Sequence, residues 1–305
     1  MNSRSVRVHV SFSLRKWTFT GSGRGRRKTH VGSIMHFLKL HRFLILTPFC
    51  ALLAITASRA DDQAEFQALN DSAQWTRKFF DAGTGNWRDR WFLDGELATL
   101  KNTDAGMHFS AGPVAGNHAH HAVLWTKDSF TGDLKIEFTY TRTDTEERNV
   151  NILYIEATGT DEGPYAKDIS QWNELRKVPT MSTYFKHMNA LHISYAAFNN
   201  KPGEKKDDYL RVRRYPVKEG IGFRDIEVQP TYEDTGLFLP GKTYKVTVIK
   251  QGSTLYFHAQ GEGITRSYVW DLSQKQAIQA GRVGVRHMFT RSAVYKDFAI
   301  YEWTK

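Results

Sequence analysis

Between Met181 and Phe198 the chain reads MSTYFKHMNALHISYAAF, and five of its side chains can do chemistry: Tyr184, His187, Asn189, His192 and Tyr195. Imidazole and phenol are the groups that take a proton, or hold one for a leaving oxygen, near neutral pH. A strand that only fills a core has no need of two imidazoles. This run is therefore expected to wall a site for a polar, saccharide-type ligand. If Leu191–Phe198 is a strand, alternation sets His192 with Ser194 on one face and Tyr195 on the other. One groove cannot take both, so His192 is expected in the site and Tyr195 in the core. Tyr184 and His187 are expected at the rim, on a turn.

Arginines recur on two further segments. In YLRVRRY, Arg211 and Arg213 share the side of Tyr209, whereas Arg214 lies with Leu210 and Val212. In RVGVRH, Arg282 and Arg286 lie opposite Val283, Val285 and His287, with His287 expected at the strand end. A guanidinium grips a carboxylate through two parallel N–H bonds, so two such strands are suited to clamp a uronic acid polymer. The competing outcome is that these arginines pair with the chain's own Asp and Glu. A polysaccharide lyase needs a neutraliser for the uronate carboxylate, a base for the C5 proton and an acid for the leaving oxygen. The candidates for that work are His192, His121, Arg286 and Asn151. Those for holding substrate are Arg213, Trp172, Asp168, His187, Tyr184 and His287. Trp172 would be a flat platform for a sugar ring, on a helix beginning at Asp168.

Two other chemistries fare worse. His118-Ala119-His120-His121 puts His118 and His120 on one face of an extended strand, but zinc needs three or four ligands and no acidic partner motif accompanies them. No metal site and no cofactor are expected. Glycoside hydrolysis needs two carboxylates about 5 Å or about 6.5–9.5 Å apart. Glu137, Glu156, Asp168 and Glu174 are scattered through the sequence rather than grouped on one strand.

The elements that must position these groups read as strands. DLKIEFTYT alternates cleanly, with Leu134, Ile136, Phe138 and Tyr140 on one side and Asp133, Lys135, Glu137 and Thr139 on the other. Similar segments are 119–126, 150–156, 191–198, 209–215, 244–250, 254–260, 282–287 and 294–303. Gln251-Gly252-Ser253 makes 244–250 and 254–260 the most secure hairpin. Helical patterns are limited to Asp168–Lys177, with Asp168 as N-cap, and a short turn near 181–188. Lys201–Asp208 is a solvated loop. The pattern predicts an all-β fold, a two-sheet antiparallel jelly-roll sandwich with one or two short inserted helices.

The formal charge of +10 is misleading. Residues 1–60 hold 11 of the 42 basic residues and none of the 32 acidic ones, which leaves 31 against 32 over 61–305, a net of −1. No nucleic-acid partner is therefore expected. Lys39 and Arg42, the apolar run Phe43–Ile55 and the small residues before Asp61 form a secretory signal pattern over 35–60, cut after Ala60. Its apolar run is shorter than the roughly 20 residues of a membrane span, so no stable membrane insertion is expected after cleavage. Residues 1–34 read as a mis-called or disordered extension, and 61–305 as one domain. The single cysteine, Cys50, falls in the signal, so no disulfide is available to the mature chain. Its expected location is secreted or periplasmic.

The blocks WRDRWFLDGELATL (87–100), HAVLWTKDSFTGDLKIEFTY (121–140), NILYIEATG (151–159), MNALHISYAAF (188–198), YLRVRRYP (209–216) and GRVGVRHMFTRSAVYKDF (281–298) resemble the secreted family labelled domain of unknown function 1961. The resemblance implies a concanavalin A-like lectin/glucanase sandwich, which leaves room for a structural calcium. Sandwich glucanases commonly carry Glu-x-Asp-x-x-Glu on one strand, and no such motif occurs in this chain. The favoured expectation is lyase-type cleavage of an acidic polysaccharide or oligosaccharide. The alternatives are a non-catalytic carbohydrate-binding sandwich and, third, a hydrolase with an unrecognised carboxylate pair.

Overall fold

The alternating segments pair into two antiparallel sheets. A computed structural model describes residues 62–198 and 207–304. The expected extension at 1–34, the signal peptide at 35–60, Cys50 and most of the 201–208 loop lie outside the described residues.

The first sheet runs in the order β14 (Ile264–Asp271), β13 (Thr254–Gly261), β12 (Thr243–Gln251), β7 (Leu134–Arg142), β16 (Ser292–Trp303), β4 (Gly106–Ser110) and β3 (Thr99–Thr103), with β1 (Trp75–Asp81) added on β16. The second runs β11 (Glu227–Glu233), β10 (Asp208–Tyr215), β9 (Met188–Phe198), β8 (Asn151–Gly159), β15 (Ala280–His287), β5 (Ala122–Thr126) and β2 (Trp91–Asp94), with β6 (Phe130–Thr131) added on β15. The β12–β13 hairpin closes with Gln251 opposite Thr254, and Gly252 supplies the positive φ its tight turn requires.

Period-2 patterning decides which side chains enter the core. Leu134, Ile136, Phe138 and Tyr140 of β7 join Val246 and Val248 of β12. Leu153, Ile155, Leu191, Ile193, Tyr195, Val212, Val283 and Val285 face them from the second sheet. Full burial of each such side chain contributes about 1.5–3 kcal/mol. Buried hydroxyls in this layer need partners, and they have them. Tyr195 Oη and Tyr295 Oη lie 2.6 Å apart, and Asn151 Nδ2 donates to Tyr140 Oη at 2.6 Å. His287 Nε2 is 2.9 Å from Tyr295 Oη, and its ring stacks on Phe109. Tyr195 is thus a core residue, as alternation requires. Asn151 and His287 correct the expectation of a groove: both point between the sheets, because their strands alternate them with outward residues.

Two helical pieces cross the outer face of the second sheet. Ile169–Arg176 forms a 3₁₀ helix broken by extended φ at Trp172, and Asp168 Oδ1 caps it by accepting from Ser170 N at 3.0 Å. A further helix occupies Met181–His187. His118–His120 is a 3₁₀ turn whose cap is the Asn117 side chain, so the strand begins only at Ala122. That turn removes the shared strand face on which His118 and His120 were expected.

Candidate functional site

The outward row of the second sheet is unlike its inward row. Asp94 (β2), Trp125 (β5), Arg282 and Arg286 (β15), Tyr154 (β8), His192 and Ser194 (β9) and Arg213 and Tyr215 (β10) share it, as the registers require. Residues 160–188 lie over this row and bury most of it. Trp125 lies against β15 at Gly284, where a Cβ would fall 2.3 Å from its ring. Trp125 then stacks on Tyr154 (5.2 Å, 22°), and Tyr154 on Tyr184 of the Met181–His187 helix (6.0 Å, 10°).

Asp94 fastens the cover to the sheet. Its carboxylate accepts from Trp125 Nε1 (2.7 Å), Asn173 Nδ2 (2.6 Å), Arg176 Nε (2.6 Å) and Tyr184 Oη (2.8 Å). Arg176 spends its remaining nitrogens on the carbonyls of Trp172 and Ile169, and its guanidinium stacks on Trp172. Every donor and acceptor here is used.

The neighbouring arginine differs. Arg286 is fully buried, and among the described residues no carboxylate pairs with it. Its Nη2 reaches His121 Nδ1 at 2.6 Å and the Pro179 carbonyl at 2.5 Å, and the guanidinium lies 4.4 Å over the Tyr184 ring. Nε and Nη1 have no hydrogen-bond acceptor among the described residues, and nor has His121 Nε2. Since a guanidinium N–H only donates, His121 Nδ1 must accept, which leaves the imidazole proton on Nε2. Burial, then the charge of Arg286, then His118, lowers the His121 pKa to about 2, so the ring is neutral. Three donors around one guanidinium–imidazole pair thus lack a well-formed acceptor among the described residues, the Tyr154 hydroxyl being the nearest candidate for Arg286. The Tyr154 hydroxyl faces both Arg286 and Tyr215 without closing a hydrogen bond of ordinary geometry.

His192 completes the row. Its Nδ1 is 2.5 Å from Tyr215 Oη and its Nε2 2.7 Å from Ser194 Oγ. Burial, reinforced by Arg213, Arg286 and Arg211, holds its pKa well below the usual value and keeps it neutral. Burial likewise pushes the Tyr215 and Tyr184 phenols well up, so both keep their protons.

The remaining expected residues are placed elsewhere. Arg213 lies beside His192 in register but is 3.2 Å from Glu227 Oε2, and its guanidinium stacks on Phe223. Asp168 pairs with Arg282 at 2.9 Å besides capping its helix. Trp172 is no open platform: it is buried, donates from Nε1 to the Ala166 carbonyl and carries Arg176 on its face. His187 stacks on Tyr165 at 3.7 Å, at the partly exposed margin of the cover. Tyr184 sits at the centre of the cover rather than on a rim. Sequence reasoning missed Asp94, Arg176, Tyr154 and Tyr215. Asp94 stands just before Gly95 at a strand end, and only the folded chain brings it beside residues some 80 positions away.

Among the described residues no group of three or more His, Cys, Asp or Glu is arranged to hold a metal ion. Nor does any described helix have the length and apolarity to cross a membrane.

The family described as "Domain of unknown function (DUF1961)" matches residues 84–300. No curated protein matches the chain. Among solved structures, a Bacillus subtilis protein of unknown function with a galectin-like fold superposes with a TM-score of 0.55 at 18% identity, covering 76% of this chain and 100% of that one. The exoplasmic/lumenal domain of VIP36, in a Ca2+/Man3GlcNAc-bound form, gives 0.49 at 10% identity over 76% of this chain and 91% of its own. Basic winged bean lectin with Tn-antigen gives 0.47 at 10% identity over 73% and 96%. At 18% identity the likeness to the Bacillus subtilis protein speaks to the sandwich fold alone.

Proposed function

Taking as premise that the chain belongs to the DUF1961 family, we propose that it acts on an acidic, uronate-containing polysaccharide or oligosaccharide by lyase-type cleavage, as a secreted or periplasmic protein. The observation that carries this is Arg286, a buried guanidinium that has, among the described residues, no carboxylate partner and no acceptor for Nε and Nη1. Other arginines on the same face are spoken for: Arg176 by Asp94, Arg282 by Asp168, Arg213 by Glu227. An unpaired buried charge is costly unless something completes it, and a substrate carboxylate has the matching charge and bidentate geometry.

The chemistry follows from the neighbours. Arg286 neutralises the uronate carboxylate and so acidifies the C5–H bond. The neutral His192, hydrogen-bonded to Tyr215, takes the C5 proton. The released electron pair forms the C4=C5 bond, and the bond from C4 to the glycosidic oxygen breaks with its electrons on oxygen. That oxygen receives a proton from a phenol held in its protonated form, such as Tyr215. A hydrolase is disfavoured because the carboxylates near this face, Asp94, Asp168 and Glu227, are engaged by internal partners.

A second reading, non-catalytic sugar binding, is favoured by burial. Residues 160–188 cover the Arg286–His192 row, whereas the open part of the face is a hollow of about 270 Å³ lined by Phe92, Lys127, Ser170, Asn173 and Arg282. An aromatic ring beside several polar groups suits a sugar. Incubation with polygalacturonate, alginate and glucuronan decides between the two. Cleavage predicts new ultraviolet absorbance from unsaturated ends, lost in Arg286→Met. No absorbance with any polymer, together with retarded migration in polymer-containing gels, would establish binding instead.

A further inference from the structure

One end of the sandwich breaks the rule that inward rows are apolar. On β12 the row Val246, Val248 ends in Lys250; on β10, Leu210, Val212 ends in Arg214; on β8, Leu153, Ile155 gives way to Glu156 at a bulge with φ 53°. Three strands from both sheets thus bring buried charges to the same end. Lys250 Nζ lies 2.9 Å from Glu156 Oε2 across the gap between the sheets and also donates to the Gly132 carbonyl at 2.7 Å. Arg214 donates from Nε to the Gln276 carbonyl at 2.8 Å, but its Nη1 has no acceptor among the described residues. Arg214 is only 7% exposed.

Arg214 and Lys250 border a cavity of about 660 Å³, which Glu156 reaches only through its pair with Lys250. Arg214 and Lys250 form its charged wall with Lys275 and Asp133; Leu191 and Trp303 supply apolar surface. Asp133 is already engaged, accepting from Gly252 N at 2.8 Å. The volume falls in the range of small-molecule sites. Burying a lysine–glutamate pair and an arginine adds little to stability compared with apolar residues of the same size, so the fold gains nothing evident from them.

We propose that this cavity is a second ligand site, which takes a small carboxylate-bearing sugar of mono- to disaccharide size by pairing its carboxylate with Arg214. The Trp303 ring offers a surface for the sugar's C–H face, and Ser273 and Gln276 border the opening toward its hydroxyls. The site lies on the opposite face of β10 from Arg213, so it is separate from the Arg286 row and does not depend on cleavage occurring there. Glu156 adds a pH dependence. Burial pushes its carboxyl up to about 7 against the pull of Lys250 and Arg214, with Asp133 raising it further. Below neutrality Glu156 becomes uncharged, and the cavity turns more cationic through Lys250 and Arg214. Carboxylate binding should therefore tighten as pH falls from about 8 to about 6.

Calorimetric titration of the full chain with galacturonate, glucuronate, glucose and inorganic phosphate tests this. Saturable binding of a uronate with no response to glucose is expected. Binding should weaken more than about tenfold in Arg214→Gln, because a charge-assisted hydrogen-bond pair is lost. Ala277→Trp fills the exposed mouth of the cavity without touching the charges and should abolish binding in a chain that still melts like the parent. No uronate binding, or binding unchanged in both variants, overturns the site. A response to phosphate equal to that of uronates overturns the sugar-acid assignment. None of these outcomes bears on whether polymers are cleaved at Arg286.

Discussion

Two fully buried arginines meet where the 160–188 cover rests on the second sheet, Arg176 in the cover and Arg286 on β15, and they are built differently. Arg176 meets a carboxylate and two carbonyls, and its partner Asp94 is saturated by four donors. Arg286 has an imidazole, one carbonyl and an aromatic face, and it keeps two nitrogens unused. Polar saturation marks the Asp94–Arg176 cluster as the fastening that holds residues 160–188 on the sheet. Incomplete saturation is the reason the Arg286–His121 pair is the proposed place for a ligand carboxylate. Burial and charge are equal for the two, so the count of unmet donors is what separates the fastening from the proposed site.

Substitutions should split them. Arg176→Met orphans the buried Asp94 and is expected to cost about 3–5 kcal/mol in chemical denaturation. Arg286→Met orphans no carboxylate, so it should change stability by less than about 1 kcal/mol or raise it. The same substitution should lower polymer cleavage by about 10²–10³-fold, as loss of a charge-stabilising donor does. If Arg286→Met instead destabilises as much as Arg176→Met, the two clusters are one structural unit and the distinction fails.

Protonation sharpens the contrast further. His121, lowered to about 2, His287, lowered to about 3, and His192, held well below its usual value, are neutral in the fold. Each gains a proton on unfolding below the ordinary histidine pKa of about 6.5, so the unfolded state binds more protons there. Their contribution is fully present above about pH 6.5 and is lost as pH falls toward the folded values. Glu156, pushed up to about 7, works against this between about pH 4.5 and 7, since its stabilising share is lost as pH rises. Comparing the parent with His192→Gln isolates one histidine: the pH slope of stability should flatten by about 1.4 kcal/mol per unit between pH 6 and 5. An unchanged slope would mean that His192 is solvated rather than buried. The smallest effect is expected at the margin of the cover, where His187→Ala removes a ring stacked on Tyr165 and should cost about 0.5–1.5 kcal/mol.

Much of this molecule is legible from its amino-acid order, for a definite reason. Strand alternation is a local property, so the faces of His192 and Tyr195, of Arg213 and Arg214, and of Arg286 and Val285 all follow from parity. The cap at Asp168 is local too. Segments with weaker local signals are not legible in this way: the helix over 62–70, the largely exposed β1, and the proline-containing edge strand β11. Parity gives a side but cannot say which side faces the other sheet at a strand end, so it left Asn151 and His287 free to be imagined in a groove. Nor does it give partners. That Trp172 lies under Arg176, that Arg213 is taken by Glu227, and that Asp94 gathers donors from about 80 to 90 residues away depend on how 160–188 folds back over the sheet. The order of residues determined the sandwich and the polar composition of its outer face. Only the tertiary structure decided which of those charges are satisfied internally and which are not, because satisfaction is a matter of angstroms between segments distant in sequence.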